Sequence, residues 1–163
     1  METLIVYFSL NGNSAETAEK LASALNADKH HIEPKKNYPA KGFMKFLVGG
    51  GDVAAKRRPP LEPYSLELSK YGRVVFVGPV WASSFAPPVG TFIDENIDAL
   101  RGKRIACAFC HAGGGTEKAV EKLKNALGIE AFEAELSLVD PKTRPNGENE
   151  ALIKEFCAKL LSE

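Results

Sequence analysis

The chain has 163 residues, enough for one domain spanning 1–163 that buries about two-thirds of the surface its unfolded form exposes. Its 21 Lys and Arg balance 21 Asp and Glu, which removes the charge excess expected of a nucleic-acid binder. No apolar window approaches a membrane span, the opening run is too short for a secretory signal, and three cysteines beside a 44% apolar content imply no disulfide framework, so a cytoplasmic protein with no membrane or nucleic-acid partner is expected.

The first elements are an apolar run, Leu4-Ile5-Val6-Tyr7-Phe8, a loop, Ser9-Leu10-Asn11-Gly12-Asn13-Ser14, and a helical pattern ending near Asn26. This order predicts strand, anion-binding loop and helix, with the free N–H groups of the helix start beside small hydroxyls and amides that suit a phosphate. The loop holds no Lys or Arg, so neutral donors are expected to carry the phosphate. Asn13-Ser14-Ala15-Glu16 has capping-box spacing. Ala15, Ala18, Leu21, Ala22 and Leu25 share one face, and their small side chains predict close packing on a sheet. Alone, such a segment also describes a well-capped crossover with no ligand.

Lys29 to Glu33 reads as a short strand whose adjacent His30 and His31 point to opposite faces and so do not chelate one metal. From Tyr38 to Pro60, Phe43, Phe46 and Leu47 keep helical spacing while Gly49-Gly50-Gly51 interrupts it, which predicts a kinked or two-part helix. The spacing from these glycines to Lys56 fails the nucleotide P-loop pattern, and Arg57 follows where Ser or Thr belongs. The glycines are expected to admit a close approach of backbone to another element or to a ligand rim. Between Lys35 and Arg58, seven basic residues stand against Asp52 alone, a solvated face or a docking surface for an acidic partner.

Arg73 to Gly78 is a near-continuous apolar strand of the kind covered by helices on both faces. It leads into the loop Pro79 to Pro88, which carries the only tryptophan, Trp81, and then a helix from about Val89 to Asn96. Arg104 to Cys110 is another buried strand, followed by the glycine-rich His111 to Thr116, a helix with Ala119, Val120, Leu123 and Leu127 inward, and a stop at Gly128. A last strand lies within 131–139, and a Pro/Asn/Gly loop, 141–147, precedes a terminal helix with Leu152, Ile153, Phe156 and Leu160 inward. Regular strand–helix alternation predicts an α/β fold, a doubly wound five-stranded parallel sheet with helices on both faces, whose ligand site lies beyond the carboxyl ends of the strands. Loops 9–14, 79–87 and 110–116 all sit there.

Ile5, Val6, Tyr7, Ser9, Gly12, Ala18 and Leu21 match the amino-terminal signature of the flavodoxin family, which the chain resembles; Ser14 stands where the family has Thr, and Asn11 where many members carry a second Thr. The resemblance extends through Val77-Gly78-Pro79-Val80-Trp81, the glycine-rich Ala112 to Thr116, and Gly42-Phe43-Met44-Lys45-Phe46, nearly the whole chain. It implies strand order 2-1-3-4-5 and one FMN per chain, its phosphate on Ser9, Leu10, Asn11, Gly12, Asn13 and Ser14. The isoalloxazine ring then lies between Pro79, Val80, Trp81, Ala82, Ser83 and Phe85 on one side and Cys110, His111, Gly113 and Gly114 on the other, with Trp81 as the stacking wall. No Lys or Arg occurs in these loops, so the reduced flavin anion is expected to be costly and the potential low.

Cys107-Ala108-Phe109-Cys110-His111 spells a c-type haem attachment motif, but on a strand the two cysteines face opposite sides and cannot reach one porphyrin edge. No nucleophile–base set stands out and no metal site is expected, which favours a low-potential electron-transfer carrier, a monomer or weak dimer with transient redox partner proteins. The alternative is an FMN-dependent NAD(P)H oxidoreductase passing electrons to a quinone or other acceptor. A signalling receiver domain of the same architecture needs acids where this chain has Ser9-Leu10-Asn11 and Gly78-Pro79.

Overall fold

The computed structural model describes residues 2–39 and 44–162, and for residues 44–47 the backbone alone. Lys41, Gly42 and Phe43 therefore lie outside the described residues, as do the side chains of Met44, Lys45, Phe46 and Leu47, on which part of the sequence reading rests. In chain order the elements are β1 (Thr3–Tyr7), α1 (Asn13–Leu25), β2 (Asp28–His31), α2 (Met44–Ala54), β3 (Arg73–Trp81), β4 (Ser84–Phe85), α3 (Pro87–Leu100), β5 (Arg104–His111), α4 (Thr116–Leu127), β6 (Glu135–Val139) and α5 (Gly147–Leu161).

Val74, Val75, Phe76 and Val77 are buried on both sides of the sheet, as their unbroken apolar run predicts for a central strand. The path across the sheet is β2-β1-β3-β5-β6, all parallel, with the short β4 antiparallel to the end of β3. Without that hairpin partner the order is the expected 2-1-3-4-5. Strand alternation divides the core. Leu4, Val6, Phe76, Cys107 and Phe109 face Phe92, Ile93 and Leu123 of α3 and α4, whereas Ile5, Val75, Ala106 and Ala108 face Ala18 and Leu21 of α1 and Phe156 and Leu160 of α5. The second layer carries small side chains, Ala106 and Ala108 on the sheet and Ala18 and Ala22 on the facing helix.

The amino end of the sheet is tied by ions. Arg73, 5% exposed on β3, donates from Nε to Glu133 at 2.9 Å and from a terminal nitrogen to the Leu160 carbonyl of α5 at 2.8 Å. Arg104, at the start of β5, reaches the same Glu133 carboxylate at 2.5 Å. One carboxylate thus joins two adjacent strands, and Arg73 ties them to the last turn of a helix.

Local details correct the sequence reading. The second strand spans Asp28–His31, though Ile32 still donates to the Tyr7 carbonyl at 2.8 Å. From Met44 to Ala54 the backbone is one helix through all three glycines, not divided in two. The segment expected as a loop from Pro79 begins as strand: β3 continues to Trp81, turns through Ala82 and Ser83, and returns as β4. Both turn residues have positive φ, 46° and 54°, as a two-residue hairpin turn matched to strand twist demands. The next helix starts at Pro87, two residues early, because proline is preorganised for the first helical turn. His30 and His31 do diverge: His31 stacks on Tyr7 at 5.0 Å, and His30 lies against Tyr64 and Phe92.

Candidate functional site: a cleft at the carboxyl ends of the strands

The loops after β1, β3 and β5 converge on a cavity of about 290 Å³, close to the lower end of the range for small-molecule sites. From the first loop come Leu10, Asn11 and Asn13; from the second, Pro79, Val80, Trp81 and Ala82; from the third, Cys110, His111 and Ala112. Gly115 lets the second and third loops meet, since a Cβ there would stand 3.1 Å from Ser83 Oγ and 3.4 Å from a Val80 methyl.

The phosphate-type end is built differently from the expected capping box. Gly12, at φ 95°, is the N-cap of α1, and no side chain caps the helix. Asn13 is already inside the helix, and its side chain is used elsewhere: Oδ1 accepts from the backbone N–H groups of Lys142 (2.9 Å) and Thr143 (3.3 Å), and Nδ2 donates to Asn11 Oδ1 at 3.3 Å. Ser9 Oγ accepts the Gly12 N–H at 3.2 Å, which tightens the turn. The N–H groups of Asn13, Ser14 and Ala15 have no acceptor among the described residues, so the first turn of α1 presents donors to an anion. Ser14 is 1% exposed, and Thr17 Oγ1 meets the Cys110 thiol at 3.4 Å.

The cradle is not free of cations. A fourth loop, between β6 and α5, brings Lys142 over the turn, where a Cβ on Gly12 would come 2.7 Å from its Nζ. The same loop places Asp140 in the cavity wall, and Arg144 joins Asp140 (2.6 Å) to the Ala112 carbonyl (2.6 Å) of the third loop. Each of the three expected loops lacks Lys and Arg, as read from the sequence, and the loop after β6 brings both beside them. Its Pro-Asn-Gly composition at the carboxyl end of a parallel strand was the available signal.

At the ring end, the Trp81 indole packs edge-on to Phe8 at 5.5 Å and Tyr38 at 5.1 Å. It also sits against α2 at Gly49, where a Cβ would stand 3.1 Å from the indole, while Gly50 lines the cavity. The glycine run thus gives the expected close approach to another element at Gly49, and Gly50 stands at the cavity wall. Helix α2 is held from beneath by Asp52, 2% exposed, which accepts from Lys36 (2.5 Å), Tyr38 (2.9 Å) and Arg57 (3.2 Å). Burial favours the protonated form of this carboxyl, but the Lys36 and Tyr38 hydrogen bonds and the Lys36 and Arg57 charges hold it below the ordinary aspartate value.

At the third loop, His111 Nδ1 accepts the Gly114 N–H at 2.8 Å, which makes the other nitrogen the N–H donor of the neutral ring, and the residue lines the cavity. Gly113 and Gly114 shape this turn without lining the cavity, and Gly114 needs its freedom at φ 120°. Phe85 also departs from expectation: pairing of β4 with Val80 turns its ring into the core beneath α3 and toward a separate hollow. Cys107 and Cys110 lie on opposite faces as expected, and burial pushes both thiols up, away from reactive thiolates. Among the described residues no cluster of His, Cys, Asp and Glu fits a metal ion, and no helix is long and apolar enough to cross a membrane.

The model of the flavodoxin family matches residues 2–144, and the chain belongs to that family. A flavoprotein from Lactobacillus acidophilus, solved in complex with FMN, is similar at a TM-score of 0.76 and 16% identity over 95% of this chain and 97% of that one. A Bacteroides eggerthii protein is similar at a TM-score of 0.78 and 21% identity, covering 99% of both chains. A flavodoxin, WrbA-like protein from Agrobacterium tumefaciens gives a TM-score of 0.63 at 14% identity over 99% of this chain and 96% of that one. These likenesses concern the fold. No curated protein matches the sequence.

Proposed function

We propose that the chain binds one FMN in this cleft and works as an electron-transfer carrier between transient redox partner proteins. The observation that carries the reading is the joining, in one cavity, of unpaired helix-start donors at one end and an aromatic wall at the other. The residues present fit the group. The N–H groups of the first turn of α1, with Lys142 above them, match a phosphate; Trp81, Pro79 and Val80 match a flat apolar ring; and His111 offers a donor to its polar edge. When bound, FMN supplies one- and two-electron chemistry. The chain's own part is to hold the ring and set its surroundings. Among the described residues no Lys or Arg lines the cavity and Asp140 is the only formal charge there, so a negative charge gained by the ring finds no cation among those lining residues. A reduction potential below that of free FMN follows.

Purification of the chain in yellow form, with FMN released on denaturation and one equivalent taken up again in calorimetry, is the expected result. No uptake removes the reading. The oxidoreductase reading is separated by the same material: steady oxidation of a nicotinamide with a simple acceptor selects it, and reduction through a separate reductase alone selects the carrier.

A further inference from the structure

A second cavity of about 320 Å³ lies on the far side of the β3–β4 hairpin, enclosed by the end of α2 and the segment after it, by β4 with the start of α3, and by α4. Lys56, Arg57 and Arg58 enter it from one side and Lys122 from the other, against the single carboxylate Asp52, which already has its three donors. The cations differ in their freedom. Arg58 is fixed: its guanidinium lies across Gly90, where a Cβ would come within 2.6 Å, donates to Asp94 at 2.7 Å, and stands 5.8 Å from the centre of the Phe85 ring. Lys56 and Lys122 have no carboxylate partner among the described residues. Between them the lining is apolar, from Val53, Phe85 and Pro87.

Two lysines without carboxylate partners lining one open hollow, beside a prefixed arginine, favour a compact multivalent anion over a solvated face, because cations spread over a flat surface would not converge. The apolar floor asks for a flat body attached to that anion. We propose that this cavity is a second site, separate from the flavin cleft, for a small organic phosphate of nucleotide size, with the phosphates between Lys56, Lys122 and Arg58 and the flat body on Phe85 and Pro87. This also gives the basic segment ending at Arg58 a defined use.

The test is calorimetric titration of the chain, with and without saturating FMN, using ADP, pyrophosphate and adenosine as probes. ADP is expected to bind one-to-one in both samples without releasing flavin, and more tightly than pyrophosphate or adenosine. The Lys56→Ala/Lys122→Ala double variant should weaken ADP by about tenfold or more, and Lys56→Arg/Lys122→Arg should retain it, since the charge-assisted contacts are kept. Release of flavin by ADP, equal binding by the double alanine variant, or no saturable binding in either sample overturns the proposal. Citrate binding as tightly as ADP overturns the phosphate assignment. Because the FMN-free sample is read separately, failure of the flavin reading leaves a distinct signature: ADP binds and FMN does not.

Discussion

The two ends of the central sheet are built from opposite materials. At the amino end, Arg73, Arg104 and Glu133 are close, mostly shielded and mutually satisfied, with the Leu160 carbonyl completing the cluster. At the carboxyl end lie six of the ten positive-φ residues among the described residues, Gly12, Ala82, Ser83, Gly114, Gly115 and Asp140, together with helix-start N–H groups that have no partner among those residues. One end holds the strands in register, and the other keeps open the shape and polarity a ligand needs. Such a division lets the cleft vary while the sheet stays fixed.

If that division holds, the largest effect on folding comes from the closed end and leaves ligand affinity untouched. Glu133→Ala removes the carboxylate that Arg73, 5% exposed, shares with Arg104, and removing one partner of a buried ion cluster costs about 3 kcal/mol. Urea denaturation should show that loss, while the FMN affinity of the still-folded variant stays within about twofold of the parent. A fall in affinity as large as the fall in stability would mean that the two ends are coupled through β3.

The converse experiment is Trp81→Ala. The indole is half-buried against Phe8, Tyr38 and Gly49, so its removal should cost roughly 1–2 kcal/mol of stability, below the cost of a fully buried aromatic. As the proposed stacking wall it should also weaken FMN by about tenfold or more, read from flavin fluorescence on titration. A variant that folds less well yet binds FMN normally would reduce Trp81 to packing under α2.

The same contrast explains what could be read without coordinates. The parallel sheet, its order and its central strands were legible because Val74 to Val77 and Ile105 to Phe109 are local patterns that announce burial on both faces. The first loop was legible as an anion site because strand, small polar turn and helix are contiguous. Its chemistry was not. Lys142 comes from 130 residues further along the chain, a distance that helical or strand periodicity does not span. The hairpin through Ala82 and Ser83 escaped because neither residue belongs to the Asn-Gly or Gly-Gly pairs that normally mark such turns. Asp52 was visible only as the odd acid in a basic segment; its burial under α2 depends on Lys36 and Tyr38, joined to it only by the fold.

That carboxylate gives the contrast a pH axis. Its folded-state proton affinity is depressed, so its stabilising share is complete above the ordinary value of 3.8 and disappears as the pH drops through the lower folded value. Asp52→Asn removes the share at neutral pH, about 1–2 kcal/mol, because the partners Lys36 and Arg57 are 35% and 66% exposed and recover water when released. Plotted against pH, the difference in stability between parent and variant should be flat above about 5 and narrow below 4. A difference that persists undiminished to strong acid would show that Asn replaces the latch by shape alone.

The smallest expected effect sits at the open end itself. Gly12→Ala places a side chain at φ 95°, a backbone region that costs about 1 kcal/mol or more for an L residue, and brings its Cβ within 2.7 Å of the Lys142 ammonium. The ammonium ends a flexible side chain and can swing away, so steric loss adds little to the backbone term. What changes is the placement of that positive charge above the first turn of α1. Stability should therefore fall by only about 1 kcal/mol, while FMN affinity falls by several-fold and riboflavin, which lacks the phosphate, is unaffected. Adding Lys142→Ala to Gly12→Ala should then cost little further affinity, because the displaced ammonium no longer contributes. A full additional loss in the double variant would place the Lys142 charge in the site regardless of Gly12, and would assign the first substitution's effect to the distorted N–H cradle instead.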